Sequence, residues 1–377
     1  MVFSKQTAII LPLKLLIVPD KFKGTLTARA AANAIARGWR TVRPQDSSRL
    51  LPMTDGGDGF GEVISALLDA RIHNVKTFDA AHRPITARWW RESKTAIIES
   101  ATAIGLAQLP PGKFHPFTLD TSGLAEVIRA ASRKGATCCL MGIGGSATND
   151  GGFGLARGLG WEFLNRAGQP IERWTDLTGL ASLRPPRRRR WFKQLIVAVD
   201  VQNPLLGPRG ATRVYGPQKG LRPEDFNLAE ACLKQLARVA RRTFGHDFAE
   251  VPGAGAAGGL GFGLQTFLGA RLVPGFELFA RHSALNRHLR SADLVITGEG
   301  AIDDSTLMGK GTGQIAERCR WLQIPCIGLA GQAGAKVKRK SLFTQTHALT
   351  DLTTLEQAKA RPTYWLERVA AAAAREI

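Results

Sequence analysis

Five apolar runs in this sequence are each followed by polar side chains that include a carboxylate or hydroxyl, and in four of the five segments glycine accompanies them. One such segment is typical of a simple turn, but five of them in one chain indicate a shared role. Open α/β sheets bind ligands beyond the carboxyl ends of their strands, so we expect these segments to line a ligand site. The five segments are residues 19–24, 54–59, 144–152, 200–204 and 298–304.

The residue types in these segments suit phosphoryl transfer. Glycine amides and helix N-termini hold phosphate oxygens, carboxylates bind Mg²⁺, and lysines neutralise the transferring group. A further aspartate positions or deprotonates the attacking hydroxyl. The histidines form no HExxH or HxH pattern, which argues against a zinc hydrolase, and the absence of GxxxxGK[ST] excludes a P-loop ATPase.

A glycine-rich segment at 253–258, GAGAAG, satisfies the GxGxxG pattern of dinucleotide-binding proteins. No convincing strand precedes it, as a dinucleotide-binding fingerprint would require. We therefore interpret this segment as small residues that allow close helix packing, with phosphate contact as the second interpretation.

Apolar runs alternate with residues at helical spacing along most of the chain, which predicts an α/β protein with a mainly parallel sheet in at least one domain. Residues 75–99 differ, because three short strand candidates separated by polar turns predict an antiparallel patch. This patch suggests that a second domain begins near residue 72. Other strands are predicted at 14–18, 138–143, 195–199, 293–297 and 324–330, and helices at 122–134, 225–244 and 362–376.

Length and composition indicate a globular protein of two or three domains, with 377 residues of which 44% are hydrophobic and 22% charged. The apolar run at 6–18 is interrupted by Pro12 and Lys14 and lacks a cleavage site, so we expect neither a signal peptide nor a membrane segment. The five cysteines show no CxxC spacing, which is typical of reduced thiols in a cytoplasmic protein.

The net charge is strongly positive, since 51 Lys+Arg minus 31 Asp+Glu gives +20. Part of this excess is local, in the run Arg184–Arg190, and no basic helix with interleaved aromatic residues accompanies it. We therefore do not expect nucleic acid as the main partner, because a positive field equally favours small anionic substrates. We expect no membrane partner, and the sequence is compatible with a homo-oligomer.

These segments resemble those of the bacterial glycerate kinase family, of type I, the glycerate 2-kinase-like enzymes. The similarity runs from about Lys14 to Gly331 in the expected order, and the strings GGSATNDGG and GPQKG are highly specific. The matching segments are PDKFKG (19–24), TDGGDG (54–59), GIGGSATNDGG (142–152), DVQNPLLG (200–207), GPQKG (216–220), GAGAAGGLG (253–261) and ITGEG (296–300), followed by Asp303 and Gly309-Lys310.

The resemblance implies phosphorylation of D-glycerate by ATP with Mg²⁺, giving 2-phosphoglycerate. It also implies a flavodoxin-like parallel-sheet domain made from both chain ends, 1–71 and 285–377, with a second α/β mixed-sheet domain, 72–284, inserted in it. A kinase of another small hydroxyacid stays an alternative, because Lys21 and Ala301 replace the usual Ser and Arg of the family. A non-catalytic basic protein that binds nucleic acid or regulates is the other alternative.

The candidate site residues fall into three sets. Lys23 and Asp200 are assigned catalytic roles, Asp200 as the base that positions the hydroxyl, with Asp303 as its rival. Asp55 and Asp58 are candidate Mg²⁺ ligands, and Asp58 is alternatively the N-cap of the helix that follows it. Contacts to substrate or phosphate are assigned to Asp20, Gly144, Gly145, Ser146, Thr148, Asn149, Lys219, Glu299 and Lys310.

Overall fold

A computed structural model describes residues 11–307, 311–334 and 342–377 of the chain. The chain divides into two compact units. Unit 1 combines both ends of the chain, up to Thr54 and from Ser283, whereas unit 2 is Asp55–His282. Strands and helices alternate in both units, so the predicted α/β class is confirmed.

The strands and helices have the following bounds. The strands are β1 (Lys14–Pro19), β2 (Ser47–Leu50), β3 (Arg71–Phe78), β4 (Pro84–Glu92), β5 (Thr95–Glu99), β6 (Cys138–Gly142), β7 (Glu162–Asn165), β8 (Leu180–Arg184), β9 (Gln194–Val199), β10 (Arg271–Pro274), β11 (Leu294–Ile302), β12 (Cys326–Ala333) and β13 (Gln345–Ala348). The helices are α1 (Ala28–Arg40), α2 (Phe60–Leu67), α3 (Ala101–Ile104), α4 (Gly123–Arg133), α5 (Phe153–Gly158), α6 (Ala211–Lys219), α7 (Phe226–Phe244), α8 (Ala256–Leu268), α9 (Gly275–His282), α10 (Leu285–Arg290), α11 (Asp304–Leu307), α12 (Gly311–Trp321), α13 (Leu355–Ala360) and α14 (Pro362–Arg375).

Unit 1 is built on a five-stranded sheet in the order β13-β12-β11-β1-β2, with every neighbouring pair parallel. Numbered along the chain within this unit and read from β2, the order is 2-1-3-4-5. The apolar run Leu15–Val18 is at most 3% exposed, as expected for a strand inside a parallel sheet covered on both faces.

Helices α1 and α14, from opposite ends of the chain, pack together in unit 1. The first begins after Thr27, whose hydroxyl accepts from Ala30 N at 3.1 Å and so satisfies one of the free amides at the helix start. A Cβ on Gly38 would lie 2.1 Å from the carbonyl oxygen of Glu367, so only glycine allows the two backbones to approach this closely.

Unit 2 contains a six-stranded mixed sheet in the order β10-β9-β6-β5-β4-β3. Strands β5, β6, β9 and β10 are parallel, whereas β3, β4 and β5 pair antiparallel. The antiparallel patch predicted at 75–99 is therefore confirmed. A separate two-stranded sheet joins β7 and β8, which the sequence did not predict.

The boundary between the units lies at 54/55 rather than near residue 72. The reason is the packing of α2, whose apolar face has its partners in the unit 2 sheet. Phe60 and Ile64 lie in one buried cluster with Trp90, Ile97 and Leu140. Residues 55–71 therefore pack with unit 2, although they precede its first strand.

The structure also bears on the expectations about membrane segments and reduced cysteines. None of the helices in the described part of the chain is long and apolar enough to cross a membrane. All five cysteines are free thiols, and four of them are buried while Cys138 is half-buried.

Candidate active site

The carboxyl ends of β5, β6 and β9 lie side by side at one edge of the unit 2 sheet, because these strands pair in register up to Glu99, Gly142 and Ala198. The loop that begins unit 2 packs directly against this edge. Gly144 N donates to Gly56 O at 3.2 Å, and a Cβ on Gly56 would lie 3.0 Å from that of Ala198. Three of the five predicted segments are thus brought together within unit 2.

Asp55 and Asp58, the two candidate metal ligands, are half-buried on this loop. The Asp55 carboxylate accepts from Gly57 N at 3.0 Å, which holds the loop in a tight turn. A Cβ on Gly145 would lie 1.7 Å from Asp58 Oδ1, and the φ of this glycine is +75°. The Asp58 carboxylate therefore occupies the space that a side chain at residue 145 would need.

The N-terminus of α2 is capped by Glu99, the last residue of β5. One oxygen of this carboxylate accepts from Gly59 N at 2.9 Å and the other from Gly61 N at 2.8 Å. Gly59 is the cap residue and gives no side-chain bond, so the expectation that Asp58 caps this helix is wrong. A negative charge from a neighbouring strand satisfies the helix amides instead. Glu99 itself was missed, although it too is a carboxylate at the end of an apolar run.

Polar side chains of the GGSATNDGG loop, after β6, are buried. Ser146, Thr148 and Asn149 are each at most 4% exposed. Ser146 Oγ lies 2.9 Å from Thr148 Oγ1, and Asn149 Nδ2 donates to Thr212 Oγ1 at 3.1 Å. The side-chain oxygen of Asn149, Oδ1, is buried without a hydrogen-bond partner among the described residues. A buried acceptor of this kind is costly unless a ligand or water supplies the donor.

Asp150 anchors the same loop from inside the protein. Its carboxylate accepts from Thr121 N at 3.0 Å, Thr121 Oγ1 at 2.8 Å, Gly154 N at 2.9 Å and Gly152 N at 3.2 Å. Burial, and secondly the charge of Asp120, raises the pKa of Asp150 to about 6. Asp150 was not among the predicted site residues, although the two glycines after it indicated a tight turn.

Lys219, the lysine of the GPQKG string, points into this loop. Its Nζ donates to the Thr148 backbone carbonyl at 2.6 Å, and the side chain is 6% exposed. Burial lowers the pKa of Lys219 to about 7, and the charge of Asp150 opposes that shift. Lys219 therefore contacts the backbone that carries the candidate oxyanion-binding groups.

The GAGAAG segment at the start of α8 packs against the back of the loop. Ala257, Gly258 and Gly259 all have left-handed backbone angles, with φ of 56°, 70° and 86°. A Cβ on Gly258 would lie 1.9 Å from Thr148 O, and one on Gly259 would lie 2.8 Å from Gly151 Cα. The interpretation of this segment as small residues for close packing is confirmed.

Asp200 follows β9 at the same edge and is exposed. Burial, and secondly the charge of Asp200, raises the pKa of the neighbouring Tyr215 to about 12. The Tyr215 hydroxyl donates to Asn203 Oδ1 at 2.6 Å, and Asn203 Nδ2 donates to Arg209 O at 2.7 Å. This chain of hydrogen bonds orders the loop behind Asp200.

The other two predicted segments lie at the carboxyl ends of β1 and β11 in unit 1. Asp20 is 9% exposed and accepts from Lys21 N at 2.7 Å, while its own amide donates to Gly298 O at 2.8 Å. A Cβ on Gly300 would lie 3.1 Å from Lys23 N, so the two loops approach each other closely.

Glu299 and Asp303 are joined through one threonine in unit 1. Thr306 Oγ1 donates to Glu299 Oε1 at 2.8 Å and accepts from Asp303 N at 3.2 Å. Unit 1 therefore brings Asp20, Lys23, Glu299 and Asp303 to one edge of its sheet. Lys310 lies outside the described residues.

Comparison with known proteins gives one consistent result. The model of the glycerate kinase family matches residues 15–377. A glycerate kinase of Bacillus subtilis (strain 168) is 38% identical over 351 residues, which is 90% of this chain and 89% of that protein. A glycerate 2-kinase of Escherichia coli (strain K12) is 35% identical over 360 residues, covering 92% of this chain and 93% of that one.

A solved structure agrees with these sequence matches. The crystal structure of a putative glycerate kinase 2 from Salmonella typhimurium LT2 has a TM-score of 0.80 and 34% sequence identity to this chain. The match covers 97% of this chain and 98% of that one. Since a family match, close relatives and a solved fold all span nearly the whole sequence, the chain belongs to the glycerate kinase family.

Proposed function

We propose that this protein phosphorylates D-glycerate at the 2-hydroxyl with ATP, giving 2-phosphoglycerate and ADP. The observation that carries the proposal is the buried loop after β6, where hydroxyls and glycine amides lie together with the side-chain oxygen of Asn149, which has no hydrogen-bond partner among the described residues. The Escherichia coli relative named glycerate 2-kinase supports the choice of hydroxyl.

Unit 1 is proposed to be a flavodoxin-like domain. Its all-parallel sheet in the order 2-1-3-4-5 supports this assignment, because that order belongs to the doubly wound flavodoxin-like folds. We also infer a cytoplasmic location, since five free cysteines are typical of a reducing compartment.

In unit 2, the amides of Gly144 and Gly145 and the hydroxyls of Ser146 and Thr148 are proposed to hold anionic oxygens of the phosphate or the carboxylate. Asp200 takes the proton of the attacking hydroxyl while the new O–P bond forms and ADP leaves with the electrons of the bond that breaks. Its exposure at the strand end supports this role, because a base has to reach substrate.

Asp55 and Asp58 are proposed to bind Mg²⁺. Two half-buried carboxylates on one glycine loop fit this ion, which proteins commonly hold through one or two carboxylates and the phosphates of the substrate. Within the described ranges no cluster of three metal-binding side chains occurs, so the phosphates would have to complete the coordination. Bound Mg²⁺ neutralises charge on the phosphates.

The unit 1 set is proposed to serve the same reaction. Lys23 would neutralise charge on the transferring phosphate, and Asp20, Glu299 and Lys310 would contact substrate or phosphate. Asp303 stays the rival base. The close approach of the loops at Lys23 and Gly300 supports a common task for these residues.

The test is ADP release by the purified protein with ATP, Mg²⁺ and D-glycerate, with L-glycerate and tartronate as controls. We expect turnover with D-glycerate only, and phosphorus NMR should place the new phosphate on the 2-hydroxyl. A product phosphorylated at the 3-hydroxyl would contradict the regiochemistry. Turnover with tartronate alone would favour another hydroxyacid and direct attention to Lys21 and Ala301.

A further inference from the structure

The amino ends of β5, β6 and β9 form the edge of the unit 2 sheet opposite to the candidate active site. Register places Thr95, Cys138 and Gln194 side by side at this edge. Exposed basic residues precede these strand starts, and we call them the basic edge. They are Lys94, Lys134, Arg187, Arg188, Arg189, Arg190 and Lys193.

Backbone hydrogen bonds tie the three chain segments of the basic edge together. Thr137 N donates to Lys94 O at 2.8 Å, and Lys193 N donates to Thr137 O at 2.7 Å. Neighbouring strands lie about 4.8 Å apart, so three strand starts span about 10 Å. The positive charges of the basic edge are therefore spread over a distance greater than the diameter of a single phosphate group.

Arg188 fixes the arginine run onto the end of α4. Its guanidinium lies 4.3 Å from the centre of the Trp191 ring, and its Nη2 donates to Ser132 Oγ at 2.6 Å. The Ser132 hydroxyl in turn donates to Trp191 O at 3.3 Å. The arginines at 187, 189 and 190 thus extend from an ordered support rather than from a free loop.

Little acidic charge offsets this surface. The sequence has no Asp or Glu between Asp176 and Asp200, and Arg187, Arg189, Arg190 and Lys193 form no ion pair with any described residue. Arg184 differs, because its Nη1 pairs with Glu162 Oε2 at 2.6 Å.

Two acidic side chains and a histidine around the basic edge bear on the electrostatic potential there. Glu126 is paired with two arginines of α4, and Glu92 is the last residue of β4. Burial lowers the pKa of His73, and the positive charges of Arg91 and Lys134 lower it further. The field at this edge of unit 2 is therefore positive.

We infer that the basic edge binds the phosphodiester backbone of nucleic acid, without reading its sequence, at a surface separate from the candidate active site. Guanidinium groups match phosphate oxygens in planar pairs, and an extended row of cations suits a polymer of phosphates. A membrane surface fits less well, because the run offers no exposed apolar residue to insert, Phe192 being 8% exposed and Trp191 covered by Arg188.

The test is fluorescence anisotropy with the full chain, a labelled 20-nucleotide single-stranded RNA and a 20-base-pair DNA, over a range of salt concentrations. The test variant is Arg187→Gln/Arg189→Gln/Arg190→Gln, which leaves Arg188 in its support role. The matched control is Arg29→Gln/Arg40→Gln/Arg49→Gln, which removes the same charge from exposed residues of unit 1. Thermal unfolding of all three proteins checks that they are folded.

For the unchanged chain we expect salt-dependent binding to both probes. The test variant should bind tenfold more weakly or worse, and on RNA its slope of log K against log salt should be shallower by about 2, since each phosphate that is no longer neutralised removes about 0.7. The control variant should bind less than threefold more weakly.

If both variants bound nucleic acid equally weakly, the inference would be overturned, because the affinity would then depend on the net charge of the protein and not on the basic edge. No saturable binding at 50 mM salt and ~100 μM protein would also overturn it, as would binding only to vesicles of phosphatidylserine. Because these outcomes do not depend on kinase turnover, they are independent of the proposed function.

Discussion

The two edges of the unit 2 sheet carry polar groups in opposite ways. At the carboxyl edge, Ser146, Thr148, Asn149 and Asp150 are buried, and each forms hydrogen bonds inside the protein. At the amino edge, the seven residues of the basic edge are exposed, and none of them forms an ion pair with a described residue. Burial fixes a few groups in defined geometry, as catalysis requires, whereas exposure leaves charge available without defined geometry.

The largest effect is expected from a substitution of Asp200, the candidate base at the carboxyl edge of the unit 2 sheet. Asp200→Asn should lower kcat by about 10²-fold or more, because the amide cannot accept the proton of the attacking hydroxyl. Steady-state kinetics with D-glycerate measure it, and thermal unfolding checks the fold. Glu224→Gln, at an exposed residue, is the control. An unchanged kcat would make Asp200 structural and leave Asp303 as the base.

The second prediction concerns the free energy of unfolding and how the buried carboxylate of Asp150 at the carboxyl edge makes it depend on pH. In the folded protein the pKa of Asp150 is about 6, and in the unfolded chain it is about 3.9. Between these values the folded state binds more protons, so this group makes stability fall as pH rises from about 4 to about 6. About two pKa units correspond to about 3 kcal/mol. Urea unfolding of Asp150→Asn across this range should lack that fall.

Lys219 should act in the opposite direction. Its pKa is about 7 when folded and about 10.4 when unfolded, so the unfolded state binds more protons above pH 7. Its contribution to stability therefore rises with pH from about 7 upward. The same unfolding series on Lys219→Met should lack this rise. Identical pH profiles for both variants and the unchanged chain would show that the two groups are not buried as described.

A substitution of Gly145 would test whether the close approach of this glycine to the Asp58 carboxylate matters for activity. In Gly145→Ala, the new Cβ would meet Asp58 Oδ1 at 1.7 Å, so we expect the Asp58 loop to shift and kcat/KM to fall by about tenfold. Gly168→Ala is a matched control, because Gly168 has the same φ of +75° but no atom within 4 Å of the added Cβ. Equal effects of the two changes would point to backbone strain alone.

The smallest expected effect concerns the support of the Asp55–Asp58 loop. Glu99→Gln replaces one accepting oxygen with a donor, so one of the amides of Gly59 and Gly61 loses its partner. We expect a loss of about 1 kcal/mol in the free energy of unfolding, as for other helix caps. Urea unfolding measures it, with exposed Glu92→Gln as control. No difference between the two would show that the cap contributes nothing to stability.

Much of the fold followed from local patterns. The buried run Leu15–Val18 and the helical spacing in α4 and α7 are short-range signals, and they predicted elements within a few residues of their observed bounds. The strand-end segments were predictable because parallel strands present their carboxyl ends at one edge. The second strand was less clear, because β2 has only four residues and the first three of them are polar and exposed.

Interactions between residues distant in sequence were not predictable in this way. Glu99 caps a helix that begins about forty residues earlier, and nothing near either segment signals that pairing. The burial of Asp150 and Lys219 depends on Thr121 and on the α8 glycines, which pack against the loop only after folding. The unit boundary was misplaced for the same reason, since the partners of Phe60 lie in later strands.

The pairing of β1 with β11 has a consequence for how the chain folds as it is synthesised. On one side Leu15 has its register partner at Leu294, so the first strand emerges from the ribosome long before this neighbour, whereas β2 on its other side follows soon after. Unit 2 is complete in sequence by His282 and can fold while β1, with only β2 and α1 beside it, still lacks its partner β11. Unit 1 is therefore expected to close last, and the early chain is the segment most in need of a chaperone.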